Sequence, residues 1–171
     1  MAAQTAGVKI PSVATARLLL HPMTVDEAER VVARTPHAGD DWAEGYPGDG
    51  DVRSSTAFLR GVAERGAPGV YQVYQIRLRD SGATVGGIGF HGPPDAEGFA
   101  TVGYGVVPSV RGKGYATEAL RALVGVAREA GAAGVRGDAD LANTASHRVM
   151  EAAGLRPEGG SDTLRRFRLE F

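Results

Sequence analysis

The eighteen residues from Gly103 to Leu120, GYGVVPSVRGKGYATEAL, enter as a strand and leave as a helix. The turn between them carries two cations, Arg111 and Lys113, and two glycines, Gly112 and Gly114. A helix start leaves its first backbone N–H groups without partners, and the macrodipole makes that end positive. A Ser, Thr, Asp or Asn at the cap ordinarily accepts from those groups. None of Arg111, Gly112, Lys113 or Gly114 can do so. Glycines also let a ligand approach the backbone closely. The combination suits an anion, most naturally a phosphate or pyrophosphate. A plain loop-to-helix junction with hydrated amides is the alternative on the loop alone. The strand before it and the apolar stripe after it, Ala116, Leu120, Leu123 and Ala127, favour a ligand by fixing the turn on two rigid elements.

Two familiar phosphate motifs do not fit. A P-loop needs Ser or Thr after Gly-Lys, and here Gly114 follows Gly112-Lys113. A literal Gly-x-Gly-x-x-Gly occurs at Gly87–Gly92, but Pro93-Pro94 follows where a helix is required, so it reads as a glycine-bearing strand. That undercuts a nucleotide-cofactor oxidoreductase.

The elements that must position the turn read as α+β in one domain. Residues 1–14 are small and polar, an expected flexible arm. Arg17–Pro22 reads as a strand, and Thr24 with Glu27 has capping-box spacing for a helix to about Arg34. A loop spans Thr35–Asp51 and holds Trp42, and a second helix is expected over Val52–Arg65. Tyr74, Ile76 and Leu78 alternate with Gln75, Arg77 and Arg79, a half-buried strand. Thr84–His91 and Phe99–Val107 complete an antiparallel meander. The helix from Tyr115, a strand over Val135–Ala139, a helix from Asn143 to Gly154 and two closing strands follow.

Composition excludes several classes. The chain has 171 residues, a net charge of -1 and no cysteine, so neither thiolate chemistry nor a general affinity for nucleic acid or anionic membranes is indicated. His21, His37, His91 and His147 lack metal-ligand spacing, so no metal is expected. No apolar run has the length of a membrane span and the first residues lack a secretory core, which points to the cytoplasm.

Arg111-x-x-Gly114-x-Ala116 resembles the acyl-CoA signature of the GNAT N-acetyltransferases, and its surroundings resemble the branch that acetylates ribosomal-protein N-termini. Asn143-Thr144-Ala145-Ser146 with Gly154-Leu155, and Thr15–Met23, are similar to two further segments of that branch. Three motifs occur in the right order from Thr15 to the C-terminus, the expected extent of the domain (residues 15–171). The resemblance implies a central mixed, mostly antiparallel sheet splayed between its fourth and fifth strands and flanked by helices. It implies acetyl-CoA as co-substrate, cradled at its pyrophosphate by Arg111, Gly112, Lys113, Gly114, Tyr115 and Ala116. Val106 and Val107 would line the pantetheine arm, one of their amides polarising the thioester carbonyl. Asn143 would hydrogen-bond the pantetheine, and Ser146 would sit near the sulfur.

Many relatives carry a tyrosine seven residues beyond that asparagine to protonate the leaving thiolate. Here the position is Met150, so Ser146 is cast as a hydrogen-bond donor to the departing sulfur. Attack by an amine also needs a base. Asp41, Glu44, His91, Glu158 and Asp162 are candidates, none singled out by spacing, and His91 equally reads as a strand-end residue. Glu118 needs no role beyond favourable charge at the helix start. Trp42 and Tyr46 fall where the family forms its acceptor pocket, or they plug the core. The expectation is an N-acetyltransferase acting on a small-molecule or peptide amine, with a homodimer as the family's habit. The alternative is an acyl-CoA-binding or sensing module without turnover.

Overall fold

The structure, a computed structural model, describes residues 9–171. The element order is β1 (Val13–Ala14), β2 (Leu18–Pro22), α1 (Val25–Ala33), α2 (Asp49–Arg65), β3 (Val73–Leu78), β4 (Thr84–Phe90), β5 (Phe99–Val106), α3 (Tyr115–Glu129), β6 (Gly134–Asp140), α4 (Thr144–Ala152), β7 (Arg156–Gly160) and β8 (Leu164–Glu170). The strands form one eight-stranded sheet in the order β1-β2-β3-β4-β5-β6-β8-β7. β1 to β5 run as an antiparallel meander, as short connections between consecutive strands require. Among the described strands, β5 and β6 pair in parallel, and the pairing ends after Phe99–Thr101 has met Gly134–Arg136. Beyond Thr101 the two strands diverge. This is the splay between the fourth and fifth strands of the sequence reading, β1 not having been counted there.

α1 and α2 pack together, with α2 against β3 and β5, while α3 packs against β2, β4, β5 and β6. α3 buries Ala119, Leu120, Leu123, Val124 and Ala127, so Leu120, Leu123 and Ala127 of the expected stripe are buried while Ala116 is only partly covered. Burying each leucine stabilises this docking by roughly 1.5–3 kcal/mol, so the first turn of α3 is held from behind.

Three local expectations change. The end of the expected arm is tied down, since Val13 and Ala14 pair with Leu20 and Leu19; residues 1–8 lie outside the described residues. α2 begins at Asp49 rather than Val52, because the Asp51 carboxylate accepts the Gly48 amide at 2.9 Å and adds a turn. β3 is not half-exposed. Gln75 is buried and donates to the Tyr46 hydroxyl at 3.2 Å, and Arg77 reaches Glu27 of α1 at 3.1 Å. Gln75 and Arg77 are covered by the Tyr46 loop and α1 instead of water, while Arg79 stays exposed.

Glu27 also completes the capping box with Thr24 and binds His21 at 2.9 Å. Burial alone would raise its pKa, but the His21 hydrogen bond, the Thr24 amide and the neighbouring cations outweigh it and hold the carboxyl at about 2. A depressed carboxylate stabilises the fold above its unfolded value, and that contribution is lost as pH falls toward the folded one. Wild type is therefore expected to lose on the order of 2–3 kcal/mol between pH 5 and pH 2 that Glu27→Gln does not lose, read from urea unfolding midpoints. Parallel pH curves for the two proteins would contradict this.

Candidate active site

The turn before α3 is built as a run of free amides. Gly112 and Gly114 both take positive φ, 77° and 82°, a region that bulkier residues rarely enter. Gly114 is the helix cap and offers no side chain, and Glu118 is the first residue to donate back, to the Gly114 carbonyl at 3.0 Å. Among the described residues, the amides from Gly112 to Thr117 meet no acceptor. Arg111 and Lys113 are exposed beside them. Left-handed glycines next to a helix start turn successive N–H groups into one concavity, an anion site.

Glu118 does more than complement the dipole. It accepts from the Thr15 hydroxyl at 2.6 Å, the Arg17 amide at 2.8 Å and Arg17 Nε at 2.7 Å. Arg17 then donates to the Lys113 carbonyl at 2.8 Å and stacks over the Tyr115 ring at 4.4 Å. The start of β2 thus straps the glycine turn to the sheet. Glu118→Ala is expected to weaken acetyl-CoA binding by roughly tenfold, the scale of one charge-assisted hydrogen bond. Unchanged affinity in a calorimetric titration would restrict Glu118 to stability.

The β4–β5 register separates Val106 from Val107. The Val107 amide donates to the Val85 carbonyl at 2.8 Å and the His91 amide to the Thr101 carbonyl at 2.9 Å. Bonded and non-bonded pairs alternate in an antiparallel ladder, so Gly86 and Val106 form a non-bonded pair. The N–H and C=O of Val106 therefore point away from β4, into the gap left by β6. Val107, buried and already bonded, does not offer its amide. Arg111 Nε lies 3.4 Å from the Val106 carbonyl, at the loop end of this free edge.

Across the gap, Asn143 caps α4 by accepting the Ser146 amide at 3.1 Å, which leaves its side-chain NH2 as a donor. Ser146 Oγ is 2.7 Å from the hydroxyl of Tyr104 on β5, and that hydroxyl also reaches the Ser146 carbonyl at 3.2 Å. Burial raises the Tyr104 pKa more than the Ser146 bond lowers it, so the phenol keeps its proton at neutral pH. The sequence reading missed Tyr104. Its signal was a tyrosine within β5, whose reach to Ser146 becomes visible only once α4 is placed against that face of the strand. Met150 is buried, as its apolar side chain requires.

Two cavities meet here. One of about 270 Å³ lies in the splay, lined by Asn143, Ser146, Met150 and Asp138 among others. The other, about 910 Å³, lies between α2 and the β4–β5 pair. His91, Gly103 and Tyr104 line both. A Cβ on Gly103 would stand 2.5 Å from His91 Nε2, so the imidazole lies over bare backbone. Asp51 projects into the larger cavity in the same manner over Gly87.

The other sequence candidates are not brought to this point. Tyr46 is buried in the core with its hydroxyl on Gln75, and Trp42 packs edge-on to it at 5.4 Å, bridging to Thr84. Neither lines the large cavity, so the core-plug alternative describes them. Asp41, Glu44 and Asp162 are exposed and line neither cavity, and Glu158 binds Arg168 at 3.1 Å. His147 is a buried residue whose Nε2 lies 3.0 Å from the Asp140 carbonyl. Among the described residues, no group of three or more His, Asp or Glu is placed to hold a metal ion, and no helix is long and apolar enough to cross a membrane.

A family model described as an acetyltransferase (GNAT) domain matches residues 17–156. An acetyltransferase of the GNAT family from Bacillus anthracis is 22% identical, with 94% of this chain and 98% of that one covered and a TM-score of 0.68. A ribosomal L7/L12 alpha-N-protein acetyltransferase in complex with coenzyme A is 15% identical, with coverage of 94% and 98% and a TM-score of 0.70. The microcin C7 self-immunity acetyltransferase MccE, in complex with acetyl-CoA and AMP, is 13% identical, with coverage of 92% and 94% and a TM-score of 0.64. At these identities the likeness is one of fold. No curated protein matches the chain by sequence.

Proposed function

This chain belongs to the GNAT acetyltransferase family, whose co-substrate is acetyl-CoA, and from that membership we propose that it moves an acetyl group onto a primary amine in the large cavity, by direct attack with both substrates bound. The observation that carries the reading is the continuity of the site. Free amides at the α3 start lead to the unpaired edge of β5, and that edge leads to the boundary shared by the two cavities.

The residues present fit the co-substrate. The amides from Gly112 to Thr117, with Arg111 and Lys113, supply donors and positive charge for a pyrophosphate. The outward N–H of Val106 offers the pantetheine arm an open strand edge, its carbonyl accepting from Arg111 Nε at 3.4 Å, and the Asn143 NH2 adds a donor across the gap. When bound, acetyl-CoA supplies an acyl group activated as a thioester. The Val106 N–H, free of the ladder, is the donor for charge that develops on the acyl oxygen. Ser146 Oγ, backed by the Tyr104 hydroxyl, donates to the departing sulfur. His91 stands at the shared boundary, where it can carry a proton to solvent.

Met150 standing where relatives place a tyrosine, together with the lack of a base singled out by spacing, favours the binding-only alternative. Tyr104 brings a phenol from β5 to Ser146 of α4, which supports turnover instead. The L7/L12 enzyme is an alpha-N-protein acetyltransferase, and its likeness in fold supports a peptide amine among the acceptors. Titration with acetyl-CoA and amine-dependent thiol release test the reading; saturable binding and turnover are expected, and absence of binding would overturn it. Ser146→Ala is expected to slow turnover by about 10²-fold with acetyl-CoA affinity within about twofold, separating a donor to the sulfur from a helix-surface serine.

A further inference from the structure

The large cavity has an unusual floor. Gly87 pairs with Gly105, and Gly89 with Gly103, so two cross-strand glycine pairs leave the backbone of β4 and β5 bare. A Cβ on Gly105 would meet nothing, whereas one on Gly87 would stand 2.5 Å from Asp51 Oδ1. Asp51 Oδ2 accepts the Gly48 amide at 2.9 Å, which turns the carboxylate back from α2 over this floor. Oδ1 meets no donor among the described residues.

Resting on the acetyl-transfer reading of this cavity, we infer that Asp51 receives the ammonium group of the acceptor over Gly87 and takes its proton, and that the acceptor is a cationic primary amine on an apolar body. The surroundings leave the carboxylate for that task. Arg34 is the cation that bears on it, but Arg34 is bound to Asp49 at 2.6 Å and to the Pro47 carbonyl at 2.6 Å. Tyr46 lies close by with its hydroxyl on Gln75. His91 occupies the diagonal floor position over Gly103, about 7–8 Å away by strand geometry. Arg53 and Arg111 lie on the cavity wall and are exposed. Burial pushes the Asp51 carboxyl above its usual range, against the Gly48 amide and Arg34. An unpaired, half-buried carboxylate is unfavourable, and an incoming ammonium relieves it.

The remaining wall is largely apolar and selects the body of the acceptor. Phe58, Val62, Tyr71 and Phe90 face the cavity, and about 910 Å³ exceeds what a bare alkylamine fills. The step balances: the ammonium gives one proton to Asp51, and the neutral nitrogen forms the C–N bond as the C–S bond breaks. The nitrogen's second proton leaves through His91 to solvent, and the sulfur takes one from the Ser146–Tyr104 pair, which solvent refills.

The test uses the full chain, acetyl-CoA, and two probes, n-butylamine and 2-phenylethylamine, with 2-phenylethanol as the uncharged control. Amine-dependent thiol release is expected, with the lower KM for 2-phenylethylamine and none with the alcohol. Asp51→Asn keeps an oxygen for the Gly48 amide. It is expected to lower kcat by about 10²-fold or more, to leave the calorimetric Kd for acetyl-CoA unchanged, and to erase the acidic limb of the kcat–pH profile. Gly87→Ala, which displaces a chemically intact carboxylate, should lose rate similarly. An Asp51→Asn enzyme within threefold of wild type, or one that keeps the acidic limb, would overturn the inference. So would a wild type that binds acetyl-CoA but releases no thiol with either amine. Failure to bind acetyl-CoA at all would instead overturn the transfer reading beneath it.

Discussion

Gly114→Val is expected to reduce acetyl-CoA affinity by more than about a hundredfold while the protein stays folded. Gly114 holds φ at 82°, and a β-branched residue is strained there by on the order of 1–3 kcal/mol. The turn escapes that strain by rotating, which scatters the amides that otherwise converge. A Cβ at this position would also stand 3.4 Å from Nη2 of Arg17, whose Nη1 and Nε strap the turn to the start of β2. Gly114 is exposed and α3 is anchored by residues on its buried face, so the melting temperature should fall by only a few degrees. Calorimetry with acetyl-CoA and a thermal melt check both halves. Wild-type affinity in a folded variant would remove the pyrophosphate from this turn.

Tyr104→Phe is the second large effect, a loss of about 10²-fold in kcat with the Kd for acetyl-CoA within threefold of wild type. The substitution deletes one oxygen and leaves the ring. It removes the bond to Ser146 Oγ at 2.7 Å, so Ser146 must serve the departing sulfur without support. Because the two hydroxyls act as one unit, Tyr104→Phe and Ser146→Ala together should cost little more than Tyr104→Phe alone. Fully additive losses would show that they act separately. A thiolate-stabilising role also predicts a smaller defect with a thioester whose leaving group is more acidic than coenzyme A; an equal defect for both donors would argue for a packing role.

Local chemistry and period made much of the fold legible. The Thr24–Glu27 box and the helix start at Asn143 each require only near neighbours, and each stands where expected. The uncapped α3 start was legible for the same reason, since lack of a capping side chain is a property of consecutive residues. The errors share a different cause. Gln75 and Arg77 were read as facing water because alternation specifies two faces and does not say what covers the second. For Trp42 and Tyr46 correspondence left the acceptor pocket and the core both open, and choosing between them takes packing partners far along the chain. Tyr104 and Ser146 are 42 residues apart, Asp51 and Gly87 similarly distant, and Arg17 and Glu118 lie 101 apart. No spacing rule reaches such pairs. The Val106–Val107 distinction needed the register of a ladder, and a one-residue slip would have reversed it.

The brief β5–β6 pairing has a further consequence. The polypeptide before β6 supplies the glycine turn and the free strand edge, and the part after it supplies Asn143 and Ser146. The sheet joins these halves only where Phe99–Thr101 meets Gly134–Arg136, beside Arg136, which binds Asp95 at 2.6 Å and also Glu97. A molecule held in the splay touches both halves, so it acts as a removable crosslink between them. At a concentration of 100 times its Kd such a ligand stabilises the folded form by about 2.7 kcal/mol, and here that stabilisation falls on one seam. Amide hydrogens of β6 beyond Arg136 should therefore exchange more slowly when the co-substrate is present, while those of the β2–β3 pair change little. The opening that admits the co-substrate is also the seam where the fold is least joined without it.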